Sequence, residues 1–423
     1  MKILHYTIGF APERTGGLVG YVTDLMQEQA KQGNDVFALY PASQFLFGKR
    51  VSIKKTTTLG KIQRFKLINS LPLALFGGVS SPSDFMQSCD PSRYLAFLKN
   101  LKPDVIHIHS LIGLHKEFLE VAKKLNIKTV YTTHDYYGLA PLPNFYYNGI
   151  SFDDNNDNLA WNIMSADALS TKKLRIFQSH FYPMIRKWMK RLNKNPKHKS
   201  YQEIDTIDED IDYTELRKYY ISMFSLIDIF HFNSNLACSI YQKNLPFKIN
   251  GKVISITNKL IRKHDVVRTR KEKKTITFIG PDEDYKGYFE FLNFVSTLNL
   301  DEYDIVTYGH VANQFAPSYI SQRGRFSQMD LDKVYSAIDI LIVPSKWKES
   351  FGLVVLEALS YGVTVFASQN IGAKDLLQKE YIFSDLSLLD INLDIQQKNI
   401  KIKALDEHVR ELNILYEELN GQK

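Results

Sequence analysis

Short apolar runs alternate with amphipathic helical segments along two separate stretches of this chain. In the first stretch, the strand candidates are 3–6, 35–40, 104–109, 128–133 and 227–232. In the second stretch, they are 253–256, 275–279, 304–308, 339–343 and 364–367. Strands that alternate with helices form βαβ units and therefore parallel sheets. The pattern predicts an α/β protein with two Rossmann-like halves and a cleft between them, in which ligands bind at the carboxyl ends of the strands.

The length of 423 residues fits two large domains, since one domain usually holds about 100–200 residues. The regular alternation is interrupted at 42–95 and again at 144–214. We expect an N-terminal domain at 1–250 that carries 144–214 as an insertion. A C-terminal domain is expected at 251–402, and a last helix at 403–423 is expected to return toward the N-terminal domain as a strap.

The composition is that of a folded protein with ordinary charge. The chain has 53 Lys and Arg against 46 Asp and Glu, and this net charge of +7 does not favour nucleic acid as a partner. Two cysteines, Cys89 and Cys238, cannot build a disulfide framework. The apolar run after Lys2 is too short for the core of a signal peptide. We expect a cytoplasmic location, and peripheral attachment to the inner face of the membrane stays open.

The segment 344–362 contains the strongest indication of a binding site. It follows the apolar strand candidate 339–343 and opens a helix, and it holds Glu349, Gly352 and Glu357. A glycine at this point allows close approach of a ligand to the backbone, and the unpaired N–H groups of a helix start favour phosphate. Glu357 lies among apolar neighbours, so a carboxylate buried there would need hydrogen-bond partners, and ligand hydroxyls could supply them.

This segment closely resembles the E-x7-E motif of glycosyltransferase family 4, the retaining enzymes with the two-domain GT-B fold, here of the bacterial polysaccharide type. Further pieces follow the order of that family: Gly16-Gly17, 103–109, Thr133-His134-Asp135, Asn233-Ser234, 278–280, Lys286-Gly287 and 336–340. The resemblance covers nearly the whole chain apart from the two interruptions.

The resemblance implies a retaining transfer of a sugar from a nucleotide-diphosphate sugar, with UDP as the expected nucleotide. The acceptor would be a glycan or a lipid-linked saccharide on the side of the N-terminal domain, and the C-terminal domain would bind the donor. Catalytic roles are implied for Glu349 at the sugar hydroxyls, Lys286 at the diphosphate and His134 at the donor sugar. Donor-binding roles are implied for Gly16, Gly17, Phe351, Gly352, Leu353, Val354 and, at the ribose, Glu357.

We expect no cofactor and no metal, because a fixed ammonium and helix amides can stabilise a departing diphosphate. His107 and His109 share one face of a strand, but no nearby spacing provides the third protein ligand that a zinc site needs. One position departs from the family pattern, since Pro281 stands where an arginine is usual. This departure favours one alternative, a non-catalytic GT-B partner subunit. A second alternative is a sugar-nucleotide 2-epimerase, since such enzymes share the two-domain architecture.

The stretch 172–199 has ten Lys and Arg and no acidic residue, beside apolar residues at helical spacing. Such a composition is typical of a helix on an anionic membrane surface. The alternative is a helix that uses its apolar stripe to pack on the N-terminal domain. Pro183 would interrupt any single long helix.

Overall fold

The computed structural model describes residues 1–42, 50–74, 77–178, 203–266, 272–314, 316–391 and 400–421. The chain forms two compact units. The first comprises Met1–Phe232, Cys238–Ile254 and Val409–Lys423, and the second comprises Asn233–Ala237 and Ser255–His408.

An eight-stranded sheet forms the centre of the first unit. Its strands are β1 (Lys2–Tyr6), β2 (Asp35–Pro41), β3 (Ser52–Lys55), β4 (Gln63–Ile68), β5 (Val105–Ile108), β6 (Lys128–Thr132), β9 (Ile229–Phe232) and β10 (Gly251–Val253). The order is β10-β9-β6-β5-β1-β2-β4-β3, and every neighbouring pair is parallel except β3 and β4. A separate hairpin contains β7 (Tyr146–Tyr147) and β8 (Ile150–Ser151). The chain leaves β1 toward β2 and later returns to β5, so the topological switch point lies between β1 and β5.

Helices connect the strands of this unit. They are α1 (Gly17–Lys31), α2 (Ser92–Leu101), α3 (Lys116–Lys124), α4 (Asn158–Met164), α5 (Thr171–Phe177), α6 (Thr214–Ser225) and, from Cys238 onward, α7 (Asn235–Asn244). The strands β5 and β9 are buried along their whole length, because helices cover both faces of a parallel sheet.

The second unit contains a six-stranded parallel sheet. Its strands are β11 (Lys274–Ile279), β12 (Tyr303–Tyr308), β13 (Ile320–Gln322), β14 (Ile340–Val343), β15 (Thr364–Ser368) and β16 (Ile382–Phe383). The order is β13-β12-β11-β14-β15-β16, which puts the switch point between β11 and β14. The longer helices are α8 (Tyr288–Val295), α9 (Leu331–Ser336) and α10 (Leu353–Ser360). Aromatic and aliphatic side chains such as Phe278, Phe291 and Phe366 form its core.

The last helix, α11 (Leu405–Leu419), contributes its residues from Val409 onward to the first unit. Tyr416 on this helix is fully buried and forms a hydrogen bond of 2.6 Å with Nδ1 of His107 in β5. Lys252 in β10 forms an ion pair with Glu418 near the end of the helix. The C-terminal helix is therefore joined to the first sheet by specific polar contacts.

The predicted fold class, two Rossmann-like α/β domains, is confirmed. The expected strand at 253–256 is wrong in its bounds: β10 ends at Val253, because its partner β9 ends at Phe232 and offers only one more carbonyl, to the N–H of Ile254. The interruption at 42–95 contains β3, β4 and the start of α2, none of which is predicted from the sequence pattern.

Most of the basic stretch 172–199 lies outside the described residues. Its first residues belong to α5, where Leu174 is buried. No helix in the described part of the chain has the length and apolar character that crossing a membrane requires.

Candidate functional site

Lys286 and Glu349 lie together at the switch point of the second sheet. Lys286 ends a short turn after β11, and Glu349 lies on the loop after β14. The Lys286 Nζ donates a hydrogen bond of 2.8 Å to Glu349 Oε2. Gly287 allows this approach: its φ is 75°, and a Cβ there would lie 1.9 Å from the carbonyl oxygen of Pro344. Only glycine lets the two loops pack this closely.

The ammonium of Lys286 also lies over two aromatic rings. Its Nζ is 5.2 Å from the ring centre of Trp347 and 5.8 Å from that of Tyr285. The Lys286 side chain is 22% exposed and the Glu349 side chain 18%, so both charged groups still reach solvent. A neighbouring lysine, Lys346, is held by Asp284 at 2.7 Å and Glu290 at 2.9 Å. The loops therefore present one cation beside an acceptor carboxylate and keep a second cation between two acids.

Backbone hydrogen bonds fix the loop that carries Glu349. Its N–H donates to the carbonyl of Asn370 at 2.8 Å, and its own carbonyl accepts from the N–H of Gly372 at 2.9 Å. Gly352 then starts α10 with a φ of 91°, and a Cβ there would lie 2.8 Å from Cγ2 of Ile371. This glycine is required both by its backbone conformation and by the space available.

The predicted donor-binding residues differ in what they can offer to a ligand. Phe351 is 3% exposed, so its side chain is part of the core and only its backbone is suited to ligand contact. Leu353 and Val354 are half-buried and form the first turn of α10. Their N–H groups have no partner within an α-helix by geometry, which makes this helix start suited to an anion.

Glu357 has protein partners for its carboxylate. The hydroxyl of Tyr335 donates to Oε2 at 3.0 Å, and the amide of Asn258 lies 3.5 Å from Oε1. Burial raises the pKa of Glu357, and these two hydrogen bonds act in the opposite direction. The sequence pattern suggests ligand hydroxyls as partners and does not reveal these two residues, which are 22 and 99 positions away in the chain. The carboxylate is therefore held in place before any ligand arrives.

In the first unit, the predicted glycines lie at the end of the loop that connects β1 to α1. Gly16 has a φ of 126° and precedes the first residue of the helix, Gly17. A Cβ at either position would meet no atom within 4 Å. Glycine is thus required at position 16 by backbone conformation, whereas the exposed surface at both positions leaves room for a ligand.

His134 lies two residues after β6. Its Nε2 forms a hydrogen bond of 3.2 Å with Nδ1 of His109, and its ring makes an edge contact with Tyr21 at 4.9 Å between centroids. Burial, and then the nearby His231, lower the pKa of His134 to about 3, although part of the residue reaches the surface. The ring is therefore neutral at physiological pH.

Asp135 supports the loop beside this histidine. Burial raises the pKa of Asp135 to about 7, against the lowering effect of hydrogen bonds from the Tyr137 N–H and Ser110. The Tyr137 N–H donates to Oδ1 of Asp135 at 3.0 Å. The Asp135 side chain therefore orients the backbone of this loop.

The structure adds a third imidazole to the predicted pair His107 and His109. His5 in β1 lies in register with His107 in β5, and the candidate ligand nitrogens of the three side chains lie within 4.8 Å of one another. Spacing in the sequence does not reveal this third imidazole, because strand pairing brings together residues that are 102 positions apart in number. These nitrogens take part in hydrogen bonds, such as that of 2.9 Å between His5 Nδ1 and His109 Nε2.

Comparisons with known proteins agree with this architecture. The family described as Glycosyltransferase Family 4 matches residues 15–198, and the family described as Glycosyl transferases group 1 matches residues 261–384. A 41.2 kDa protein in the cps region of Klebsiella pneumoniae is 30% identical over 152 residues, which are 35% of this chain and 40% of that protein. A 42.6 kDa protein in the cps region of the same organism is 22% identical over 319 residues, which are 72% of this chain and 69% of that protein.

Solved structures share the fold at low sequence identity. A glycosyltransferase from Rickettsia africae is 14% identical with a TM-score of 0.58, over 100% of this chain and 99% of that one. Sucrose-phosphate synthase from Thermosynechococcus elongatus is 14% identical with a TM-score of 0.54, over 100% and 96%. Anabaena HepE in complex with UDP is 10% identical with a TM-score of 0.51, over 100% and 98%. The two matched families and the shared fold give one assignment: the chain is a glycosyltransferase with the two Rossmann-like domains of the GT-B fold, and its residues 15–198 match glycosyltransferase family 4.

Proposed function

We propose that this protein transfers a sugar from a nucleotide-diphosphate sugar, with UDP as the nucleotide, to a glycan or lipid-linked saccharide and with retention at the anomeric carbon. The observation that carries the proposal is the contact of 2.8 Å between Lys286 and Glu349, beside the start of α10 at the switch point of a parallel sheet. Open α/β sheets bind nucleotides at such points.

Each part of the donor is assigned to protein groups that suit its chemistry. Lys286 and the amides at the start of α10 are assigned to the diphosphate, because they provide fixed positive charge where the leaving group gains negative charge. Glu349 is assigned to the sugar hydroxyls and Glu357 to the ribose, because ionised carboxylates accept hydrogen bonds from hydroxyl groups. This arrangement requires no metal, and we propose a metal-independent reaction.

The ion pair gives a physical account of donor capture. Without ligand, Lys286 and Glu349 satisfy one another. An arriving diphosphate carries more negative charge than one carboxylate and competes for the ammonium. Glu349 then has an oxygen available for the hydroxyls of the sugar. The exchange keeps both charged groups paired at each stage, so neither charge has to be desolvated alone.

The first unit is assigned two roles that the family resemblance implies. His134, neutral and held by His109, is assigned to the donor sugar. The exposed glycines Gly16 and Gly17 are assigned to approach by the donor phosphate or the acceptor. UDP is the first nucleotide to test because Anabaena HepE is described in complex with it. A polysaccharide acceptor is suggested by the two Klebsiella pneumoniae relatives in a cps region.

A donor panel tests the proposal. The purified chain is incubated with UDP-, GDP- and ADP-sugars, with and without candidate acceptors, and the released nucleoside diphosphate is measured. We expect release from a UDP-sugar that increases with acceptor and is lost in Glu349→Gln. Conversion of the donor to its 2-epimer without acceptor would favour the epimerase. Binding of UDP without release from any donor would favour a partner subunit, which is the alternative that Pro281 supports.

A further inference from the structure

A continuous chain of hydrogen bonds runs through the interior of the first unit, across four neighbouring strands and two helices. Its members, in order, are His134, His109, His5, Gln29, Tyr416, His107, Thr132, His231 and the carbonyl of Ile254. The donor–acceptor distances lie between 2.6 and 3.3 Å. Every member from His109 to His231 is fully buried. The chain of hydrogen bonds therefore connects the site histidine His134 to the C-terminal helix through Tyr416.

The Ile254 end of this hydrogen-bond chain determines the direction of donation between Ile254 and Tyr416. The carbonyl of Ile254 can only accept, so Nε2 of His231 donates to it at 2.7 Å. In a neutral ring the other nitrogen, Nδ1, is then an acceptor, and it must receive the hydroxyl hydrogen of Thr132. Thr132 has one hydrogen, so it accepts from Nε2 of His107. Nδ1 of His107 is in turn an acceptor and receives the hydrogen of the Tyr416 hydroxyl.

The direction of donation between Tyr416 and His134 follows from the single hydrogen of the Tyr416 hydroxyl. Because that hydrogen goes to His107, the phenol oxygen accepts from the amide nitrogen of Gln29 at 3.3 Å. The amide oxygen of Gln29 then accepts from Nε2 of His5 at 2.7 Å. Nδ1 of His5 accepts from Nε2 of His109, and Nδ1 of His109 accepts from Nε2 of His134. Every member between His134 and the carbonyl of Ile254 donates once and accepts once in this hydrogen-bond chain.

The opposite orientation of the Gln29 amide does not fit neutral rings. With the amide reversed, Tyr416 would donate to Gln29, and the segment between Tyr416 and Ile254 would need an imidazolium or lose a hydrogen bond. A buried imidazolium here is costly, since His107 and His231 are both fully buried. Burial also lowers the pKa of His5 to about 4 and that of His109 well below its usual value. If all the histidine rings are neutral, hydrogen-bond donation can therefore run in only one direction, from His134 toward Tyr416 and from His231 toward Ile254 in the arrangement given above.

We propose that this chain of hydrogen bonds holds His134 as the tautomer with the proton on Nε2, and that Tyr416 of the C-terminal helix is the positioning residue that sets this tautomer. Nδ1 of His134 is then the nitrogen with the lone pair, which suits it to accept a hydrogen bond from a hydroxyl group rather than to donate one. The role of that nitrogen in sugar transfer rests on the proposed function, whereas the tautomer does not.

A metal held by His5, His107 and His109 is the competing interpretation. A metal ligand needs a lone pair on its binding nitrogen. In the hydrogen-bond chain, Nε2 of His109 carries a proton and donates to Nδ1 of His5. A metal on Nε2 of His109 would displace that proton and make Nδ1 the donor toward His134, and a metal on Nδ1 would replace the bond to His134. Either outcome removes the proposed direction of donation, so the two interpretations exclude one another.

Side-chain NMR of the full chain labelled with ¹⁵N-histidine tests the tautomer without any substrate. The variant His134→Asn identifies the signals of His134. We expect a protonated Nε2 and an unprotonated Nδ1 in the wild type, and no change on addition of zinc. The opposite tautomer, or a spectrum of His5, His107 and His109 that shows stoichiometric zinc binding, overturns the proposal.

Two tyrosines provide a matched pair of variants. Tyr416→Phe removes the buried hydroxyl that fixes the direction of the chain. Tyr94→Phe removes another fully buried hydroxyl, which forms a hydrogen bond of 2.8 Å with Nδ1 of His115 and does not belong to this chain of hydrogen bonds. We expect Tyr416→Phe to make His134 exchange between tautomers and Tyr94→Phe to leave it unchanged. If Tyr416→Phe does not fold, Gln29→Leu breaks the same link. A His134 signal that stays at the wild-type tautomer in a folded Tyr416→Phe or Gln29→Leu overturns the role of Tyr416.

The kinetic consequence separates this proposal from a purely structural role. Tyr416→Phe should lower kcat about 5- to 10-fold, which corresponds to one ordinary hydrogen bond, and leave the affinity for UDP unchanged. Tyr94→Phe should keep wild-type kcat. Equal losses in both variants would overturn a specific effect through His134. If no donor is turned over at all, the proposed function fails, while the tautomer measurement still decides the proposal on Tyr416.

Discussion

Removal of the Tyr335 hydroxyl should destabilise the second unit in a way that depends on pH. Tyr335 is fully buried and donates to Oε2 of Glu357 at 3.0 Å, while the amide of Asn258 is at the limit of hydrogen bonding at 3.5 Å. Tyr335→Phe therefore removes the stronger of the two hydrogen bonds. A hydrogen bond to an ionised carboxylate contributes about 1.5–3 kcal/mol, and a neutral one about 0.5–1.5 kcal/mol.

The sign of the pH dependence follows from the pKa of Glu357. Burial raises this pKa above its usual value of 4.5, so the folded state holds the proton more tightly than the unfolded state. The stability linked to this proton is fully present below the unfolded pKa and is lost as the pH rises through the folded pKa. Loss of the Tyr335 hydrogen bond raises the folded pKa further. The variant therefore loses more stability between pH 5 and pH 8 than the wild type does.

The assay is urea unfolding of the full chain at pH 5 and at pH 8, followed by the fluorescence of tryptophan, since Trp347 lies in the same unit as Tyr335. We expect Tyr335→Phe to cost about 2 kcal/mol at pH 8 and about 1 kcal/mol at pH 5. The control is Tyr361→Phe, because the Tyr361 hydroxyl bonds at 2.5 Å to Asp332, whose side chain is 82% exposed. Its cost should be below about 1 kcal/mol and equal at both pH values. If the loss of unfolding free energy in Tyr335→Phe does not increase with pH, Glu357 is not a buried carboxylate that ionises in the folded state.

Three further predictions concern the chemistry and the basic stretch. Glu349→Gln and His134→Asn should lower kcat far more than they weaken UDP binding measured by calorimetry, and comparable losses in both would assign these residues to the nucleotide instead. Product formation should continue in EDTA at the rate seen with added magnesium or manganese, and strict loss of turnover under chelation contradicts the metal-free reaction. Through residues 172–199 the protein should sediment with anionic vesicles, and the bound fraction should fall in part at high salt. If it does not sediment with them at low salt, the alternative of a helix packed on the N-terminal domain is favoured.

The sequence predicted the groups that belong to a continuous motif. Glu349, Gly352 and Glu357 lie within nine residues at a strand–loop–helix junction, and such a local pattern needs no knowledge of the rest of the fold. Lys286 was found through the resemblance, and the structure brings it to 2.8 Å from Glu349. The alternation of strands and helices also sufficed for both sheets, because their central strands are long enough to show as apolar runs.

Groups that depend on tertiary contact were not predictable in this way. Asn258 is 99 positions from Glu357, and its amide carries no signal in the sequence. His5 is a single histidine in an apolar strand, and its place beside His107 follows from the register of β1 and β5. Tyr416 is 309 positions from the histidine to which it donates. The short strands β13 and β16 have only three and two residues, too few for a period to appear.

The central claim, that a nucleotide diphosphate binds where Lys286 meets Glu349, is tested most directly by calorimetric titration with UDP, UMP and uridine. The control for Lys286→Met is Lys346→Met, since Lys346 is an ion-paired lysine on the neighbouring loop, 29% exposed against 22% for Lys286. We expect wild type and Lys346→Met to bind UDP more tightly than UMP and uridine, and Lys286→Met to bind UDP no more tightly than UMP. Undiminished preference for UDP in Lys286→Met would contradict the central claim.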